Sequence, residues 1–299
     1  MDRRTFLSTA ALAATAVATQ TPLPAAPARK RTQEAGLSIR FLGTGAADWN
    51  GPDARGEHRR NASVLVERSF LIDFTSSARD MLPDGVWPEV IFYTHSHRDH
   101  YEPAAALEAG VRQVYLNPTI LLKAREDFRE AAGKTGLPMP VITTLGPGAS
   151  ARVGDVVVTA LPANHFVSFA EQTQIYLLEK EGARLLYATD TGGIPAMAAR
   201  LAGIDAHRDG EALTALIMEA TMGLGHEDDY RIFSHSSVGT VLQTLRVLTE
   251  TGRYAAPEGQ RVYLTHLART LHGTQAELDA TLPAPLRAAY DGLEVTFRK

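Results

Sequence analysis

The sequence predicts an α/β fold in which two mixed β-sheets pack face to face and are flanked by helices. Short runs rich in β-branched and aromatic residues, bounded by glycine, proline or aspartate, indicate strands. Segments of helical composition are scattered between these strands, an arrangement typical of sheets covered by helices. The chain has 299 residues, which is enough for one large domain, and no repeat of fixed period is present.

In chain order, eleven apolar runs predict the strands. The first ends in the turn Gly43-Thr44-Gly45, and the fourth, 90–94, is a continuous apolar run of the kind found in buried strands. The predicted strands are 37–43, 62–67, 69–73, 90–94, 113–116, 155–161, 173–179, 184–188, 214–218, 261–265 and 293–297.

Five segments between these runs predict helices, and Ser236 or Ser237 is a natural N-cap for the fourth of them. The glycine- and proline-rich segment 133–150 is expected to be irregular. The predicted helices are 102–109, 119–132, 194–202, 237–250 and 274–290.

Three histidines and one aspartate lie within six positions directly after the strand at 90–94. The run reads His95-Ser96-His97-Arg98-Asp99-His100. Residues two apart on an extended segment point to the same side, so His95 and His97 can converge on one ion. Asp99 and His100 follow a turn and can face a second ion. Imidazole and carboxylate together suit zinc, manganese or iron.

Three further candidate ligands each follow a predicted strand. His165 comes after the strand that ends near residue 161, Asp190 after 184–188, and His266 after 261–265. Loop residues at strand ends are held by the rigid sheet, which suits metal ligands. Taken singly, each of the three residues could be an ordinary surface histidine or turn aspartate. Their shared position at strand ends favours a metal site.

The pattern H-x-H-x-D-H followed by His, Asp and His resembles the metallo-β-lactamase superfamily. The resemblance covers about residues 37–299 and implies the αββα sandwich fold and two bound divalent metal ions, with zinc favoured and manganese or iron as alternatives. It implies that one ion is held by three histidines, the other by one aspartate and two histidines, and that both are bridged by an aspartate and a water or hydroxide. These ligand sets are His95, His97 and His165; Asp99, His100 and His266; and the bridging Asp190.

Within that superfamily the chain resembles ribonuclease Z and the phosphoribosyl cyclic phosphodiesterase. The opening segment 39–45, the segment 216–221 with Glu219 and the segment 233–238 with His235 carry this likeness. The resemblance implies hydrolysis of a small phosphodiester, cyclic ones included, by metal-bridged hydroxide. In it, His235 either donates a proton to the leaving oxygen or holds a phosphoryl oxygen, and Glu219 raises the basicity of His235 and fixes its tautomer. Asp190 and Asp99 complete the catalytic set.

The substrate is expected to be a small molecule rather than nucleic acid. The formal net charge is −4, which gives no broad basic footprint. Only 24 residues separate His165 from Asp190, which leaves no room there for the arm with which bacterial ribonuclease Z grips transfer RNA. Two alternatives stay open: a lactone, ester or β-lactam hydrolase on the same metal site, and a non-catalytic metal-binding protein.

Residues 1–36 are expected to be an export signal and linker rather than part of the fold. Arg3-Arg4 before Phe6-Leu7 resembles a twin-arginine signal, and the apolar part, 6–18, is too short to span a bilayer. The predicted location is therefore periplasmic or secreted, without stable membrane insertion. The chain has no cysteine, so metal ligands must be nitrogen and oxygen donors. The family resemblance also implies a homodimer as one quaternary state.

Overall fold

A computed structural model describes residues 36–206 and 210–299. The predicted export signal and linker lie outside these residues apart from Gly36, so the boundary at 36/37 and the export signal stay predictions. Among the described residues, no helix is both long enough and apolar enough to cross a membrane.

The N-terminal sheet contains seven strands, and the last strand of the chain closes its edge beside the first. Its strand order is β14-β1-β2-β3-β4-β5-β6. The bounds are β1 Leu37–Gly43, β2 Ser63–Val66, β3 Phe70–Ile72, β4 Val90–Phe92, β5 Gln113–Leu116, β6 Val141–Thr144 and β14 Glu294–Phe297.

The second sheet also contains seven strands, in the order β13-β12-β11-β10-β9-β8-β7. The bounds are β7 Ser150–Val153, β8 Val156–Pro162, β9 Gln174–Lys180, β10 Ala183–Ala188, β11 Ala215–Glu219, β12 Val262–Thr265 and β13 Leu286–Ala288.

Helices cover the outer face of each sheet. The apolar side chains of α1 (Pro103–Ala109) and α2 (Leu121–Thr135) pack on the first sheet. Those of α3 (Ala196–Leu201), α4 (Val238–Glu250) and α5 (Gln275–Thr281) pack on the second. A third apolar cluster, drawn from both sheets, fills the space between them. The four layers confirm the predicted αββα sandwich.

Parallel pairing brings the functional loops to one edge of the sandwich. β3 pairs parallel with β4, and β10, β11 and β12 run parallel in the other sheet. β8 is antiparallel to β9, which is antiparallel to β10, so β8 has the direction of β10. The carboxyl ends of all these strands therefore meet at the same edge, where each is followed by a predicted ligand or by Asp73 or Glu219.

Two of the predicted elements are wrong. The segment 133–150 is not irregular throughout, because it contains β6 and the start of β7 at the outer edges of the two sheets. The predicted helix 274–290 ends at Thr281, since Pro283 and Pro285 cannot donate helical hydrogen bonds. The chain then forms β13, which pairs parallel with β12. The predicted N-cap is confirmed at Ser237, whose hydroxyl accepts a hydrogen bond from the Thr240 amide.

Candidate metal centre

Three histidine side chains converge at the carboxyl ends of β4 and β8. His95 and His97 lie on the loop after β4, and His165 lies on the loop after β8. His95 Nε2 lies 3.0 Å from His97 Nδ1, and the same His97 nitrogen lies 3.1 Å from His165 Nε2. The three ring nitrogens therefore form one compact group that could hold an ion.

A second cluster, formed by Asp99, His100 and His266, lies beside the first. Asp99 Oδ2 is 3.2 Å from His100 Nε2 and 3.3 Å from His266 Nε2. Asp190 reaches both clusters: its Oδ2 is 3.0 Å from His100 Nε2, and its Oδ1 is 3.4 Å from His266 Nε2 and 3.8 Å from His165 Nε2. The structure thus brings together all seven predicted ligands, with Asp190 in the position of a shared one.

The spacing of these atoms fits divalent cations. Ligand atoms bonded at 2.0–2.1 Å to a tetrahedral ion lie roughly 3.3 Å apart, and neighbouring donor atoms within each cluster are separated by 3.0 to 3.3 Å. His100 Nε2 is buried and makes no hydrogen bond, although carboxylate oxygens of Asp99 and Asp190 lie 3.2 Å and 3.0 Å from it. An unsatisfied buried nitrogen is costly unless its lone pair meets a cation. The residues present therefore fit the metal ions that the sequence predicts.

Asp73, at the end of β3, orients two of the histidines. Its Oδ2 accepts hydrogen bonds from His100 Nδ1 at 2.8 Å and from the Thr94 hydroxyl at 2.7 Å. Because that hydroxyl has only one hydrogen, its oxygen must accept from His95 Nδ1, which lies 2.9 Å away. Both rings are therefore held by a hydrogen bond from Nδ1 and direct Nε2, the nitrogen that can bind a metal ion, at the clusters.

Glu219, at the end of β11, orients a histidine in the same way on the opposite side of the site. Its fully buried carboxylate accepts hydrogen bonds from the Thr191 amide and, at 2.5 Å, from the Thr221 hydroxyl. The Thr221 oxygen in turn accepts a hydrogen bond from His266 Nδ1, which lies 2.8 Å away. Each half of the centre thus has one buried carboxylate and one threonine hydroxyl that fix histidine tautomers.

His235 lies next to the clusters but is held differently. Its Nδ1 lies 3.1 Å and 3.2 Å from the two oxygens of Glu219, so this nitrogen donates to a carboxylate. Its ring stacks nearly parallel on that of His266, with centroids 5.5 Å apart. The side chain is 15% exposed, compared with 3% for His266. Nε2 is therefore the nitrogen that remains to meet a substrate.

The electrostatics of the two clusters differ. Burial lowers the pKa of each histidine in the first cluster, which favours the neutral form that binds metal. Burial also acts to lower the pKa of His100, but the carboxylates of Asp190, Asp99 and Asp73 outweigh it and raise that pKa well above its usual value. The second cluster therefore concentrates negative charge that a bound cation would balance.

The backbone is strained at three of these positions. Asp73, Asp190 and His266 have φ angles of 53°, 49° and 54°, in the left-handed region that favours glycine. Such conformations cost on the order of 1–3 kcal/mol each and persist where the surrounding structure fixes them, most often at functional sites. At each of these positions the left-handed backbone conformation directs the side chain from the end of its strand into the site.

Some residues of the site carry no motif that identifies them in the sequence. Asp73 and Thr94 follow apolar strands, as many turn residues do, and their role appears only once β3 and β4 are paired. Glu171, in the loop after β8, accepts hydrogen bonds from the Ser96 amide at 2.7 Å and from its hydroxyl at 2.6 Å. This contact ties the loop that carries His165 to the histidine-rich loop.

Comparison with known structures identifies the fold. The YhfI protein of Bacillus subtilis, described as a metallo-β-lactamase fold protein, has 15% identity and a TM-score of 0.62, covering 87% of this chain and 99% of that one. The short form of human tRNase Z has 17% identity and a TM-score of 0.61, with coverages of 88% and 100%. Zinc-bound PqqB from Methylobacterium extorquens has 17% identity and a TM-score of 0.62, with coverages of 87% and 100%. At these identities the likeness concerns the fold alone.

A comparison with curated proteins gives no match. The family model described as the beta-lactamase superfamily domain matches residues 68–267, which is more than half of the chain and includes both candidate clusters. The chain therefore belongs to the metallo-β-lactamase superfamily.

Proposed function

We propose that the protein is a metal-dependent hydrolase that cleaves small phosphodiesters. The observation that carries this proposal is the Glu219–His235 pair. The pair stands beside two complete ligand clusters, and its histidine is anchored through Nδ1 by a fully buried carboxylate. A phosphodiester needs a proton on its leaving alkoxide, and a histidine held with Nε2 toward the open side can supply it.

The first cluster and the second would each hold one divalent cation, with Asp190 shared between them. Bound there, the cations would supply Lewis-acid stabilisation of the phosphoryl oxygens and a water of lowered pKa. Asp190 would accept a hydrogen bond from the attacking water and orient it. His235 would donate its Nε2 proton to the leaving oxygen, and Glu219 would stabilise the charged form of the imidazole.

Substitution of His235 tests the proposal against ester, lactone or β-lactam hydrolysis, for which a leaving-group acid at this position is dispensable. On metal-loaded protein, His235→Ala is expected to lower kcat for a cyclic nucleotide, whose leaving group is an alkoxide, by about 10²-fold or more. Bis-p-nitrophenyl phosphate should be affected less, because p-nitrophenolate leaves without a proton. Metal content should stay at the wild-type level. His226→Ala, which alters a histidine outside the candidate clusters, is the matched control.

A chromogenic cephalosporin and a lactone complete the substrate panel. Wild-type turnover of these compounds without turnover of any phosphodiester would contradict the proposal. Near-wild-type turnover of the cyclic nucleotide by His235→Ala would contradict the role given to His235. A metal content well below one ion per chain in protein purified with zinc would favour a non-catalytic protein.

A further inference from the structure

The phenylalanines that the structure describes fall into two groups that differ sharply in solvent exposure. Nine lie in the described ranges 36–206 and 210–299, and six of these are at most 1% exposed. The other three are 56%, 102% and 82% exposed. These three residues, the aromatic rim, are Phe166, Phe169 and Phe233.

The aromatic rim lies on the two loops that carry His165 and His235. Phe166 directly follows His165, and Phe233 precedes His235 by two residues. The loops touch at this point, since His165 Nδ1 lies 3.2 Å from the Ser234 carbonyl oxygen and the two histidine rings have centroids 4.7 Å apart. The exposed rings are therefore carried by two loops that meet beside the candidate metal centre.

The loop that carries two of the rim residues is firmly tied down at its base. The Glu171 carboxylate binds Ser96, and the Thr173 hydroxyl donates to the His165 carbonyl oxygen at 3.1 Å. At its tip the rings of Phe166 and Phe169 meet edge to face, with centroids 5.2 Å apart. Large apolar groups fixed in water beside a site are typical of ligand-binding surfaces.

The charges of the two loops exclude a polyanionic ligand. In residues 163–173 the only charged side chain apart from histidine is the acidic Glu171. In residues 223–235 three acidic side chains accompany Arg231, whose guanidinium is paired with Asp229 at 2.9 Å. Nucleic-acid grooves also use aromatic platforms, but they add a strong basic lining that these loops lack. The ligand must therefore combine an apolar surface with little negative charge.

We propose that the aromatic rim binds a planar aromatic group of the substrate, so that the enzyme prefers phosphodiesters that carry an aryl or nucleobase substituent. This inference rests on the proposed function, since it assigns the substrate class of the same site. Exposed phenylalanine rings offer flat faces to a planar group, and stacking of such groups is stronger than contact with a saturated ring of similar size.

Calorimetric binding of three unreactive esters to metal-loaded protein tests the inference. Diphenyl phosphate should bind more tightly than dicyclohexyl phosphate, and both more tightly than dimethyl phosphate. Phe169→Ala and Phe233→Ala should each weaken diphenyl phosphate binding by about 5-fold to 30-fold and dimethyl phosphate binding by less than about 2-fold. Phe169→Tyr should retain the wild-type affinity, as should Leu122→Ala, a truncation of an exposed side chain on α2.

Equal affinity for the phenyl and cyclohexyl esters would overturn the inference, because it would show apolar contact without stacking. Wild-type affinity of both alanine variants for diphenyl phosphate would overturn it as well. Turnover of methyl p-nitrophenyl phosphate, measured in parallel, separates this inference from the proposed function. Turnover of this ester together with equal affinity for the phenyl and cyclohexyl esters would refute only the role of the aromatic rim. Tighter binding of the phenyl ester without turnover of any phosphodiester would support that role and refute only the proposed phosphodiesterase activity.

Discussion

Replacement of Asp73 by asparagine should weaken metal binding although Asp73 is not a proposed ligand. The carboxylate accepts three hydrogen bonds, from the Thr94 amide and hydroxyl and from His100 Nδ1, at 2.7 to 2.8 Å. An asparagine side chain has one acceptor oxygen and one NH2 group. Whichever way it is turned, its NH2 group faces at least one donor.

The size of the effect follows from which donor is left without an acceptor. If the NH2 group faces Thr94, a buried amide is unsatisfied, at a cost of about 1–3 kcal/mol in stability. If it faces His100 Nδ1, the favoured tautomer moves the proton to Nε2, the nitrogen directed at the second cluster. Loss of such an orienting carboxylate lowers metal affinity by about 10-fold to 100-fold, which is roughly 1.4–2.8 kcal/mol.

The assay is zinc affinity by competition with a chromophoric chelator, together with metal content per chain by mass spectrometry. Asp291→Asn is the matched control, because Asp291 is a largely buried carboxylate that accepts from the Thr44 hydroxyl and the Arg60 amide, away from the clusters. It should lower stability without changing zinc affinity. Thr94→Val, which removes the hydroxyl that accepts from His95 Nδ1 and donates to Asp73 but keeps the contact between Asp73 and His100, serves if Asp73→Asn does not fold. Zinc affinity within about twofold of wild type in both folded variants would refute this account of how the ligands are oriented.

Three further predictions concern stability and export. Arg59 is 4% exposed and donates hydrogen bonds to three acceptors. Arg59→Met should therefore lower the free energy of unfolding, measured by urea denaturation, by about 2–4 kcal/mol. An unchanged denaturation midpoint would contradict this. Burial lowers the pKa of His272 to about 4. Because the unfolded chain then binds this proton more readily, stability should fall as pH drops from about 6.5 towards 4, by up to about 1.4 kcal/mol per pH unit. In metal-free protein, His272→Gln should remove this pH-dependent loss of stability. If the free energies of unfolding of wild type and variant fall in parallel as the pH drops, the prediction is wrong. Finally, replacement of Arg3 and Arg4 by lysine should retain the protein in the cytoplasm of a host with a twin-arginine pathway, as cell fractionation would show, whereas undiminished export would exclude that route.

The errors in predicting secondary structure have local causes. The helix predicted to extend to residue 290 ignored two prolines after Thr281, whose effect on a helix is readable without any tertiary information. The strands β6 and β7 are different, because they are short, partly exposed edge strands in a segment rich in glycine and proline. Their pairing partners, rather than their own composition, make them strands.

The sequence by itself determined the fold class, the type of donor atoms and the order of the predicted ligands. This was possible because the information is local: His95 and His97 are two apart on an extended segment, and His165, Asp190 and His266 each follow an apolar strand. Their proposed role as ligands stays a prediction, but the structure brings their donor atoms together in the two clusters and the shared Asp190.

Only the tertiary structure decided how these residues are held and what surrounds them. Asp73 reaches Thr94 across two parallel strands, and Glu171 reaches Ser96 over 75 residues of chain. The exposure of Phe166 and Phe233 likewise depends on which faces the two sheets and their helices cover. A buried hydrogen bond or an exposed ring depends on segments that lie far apart in the sequence. The spacing of residues along the chain therefore does not reveal it, and only the paired strands of the folded protein do.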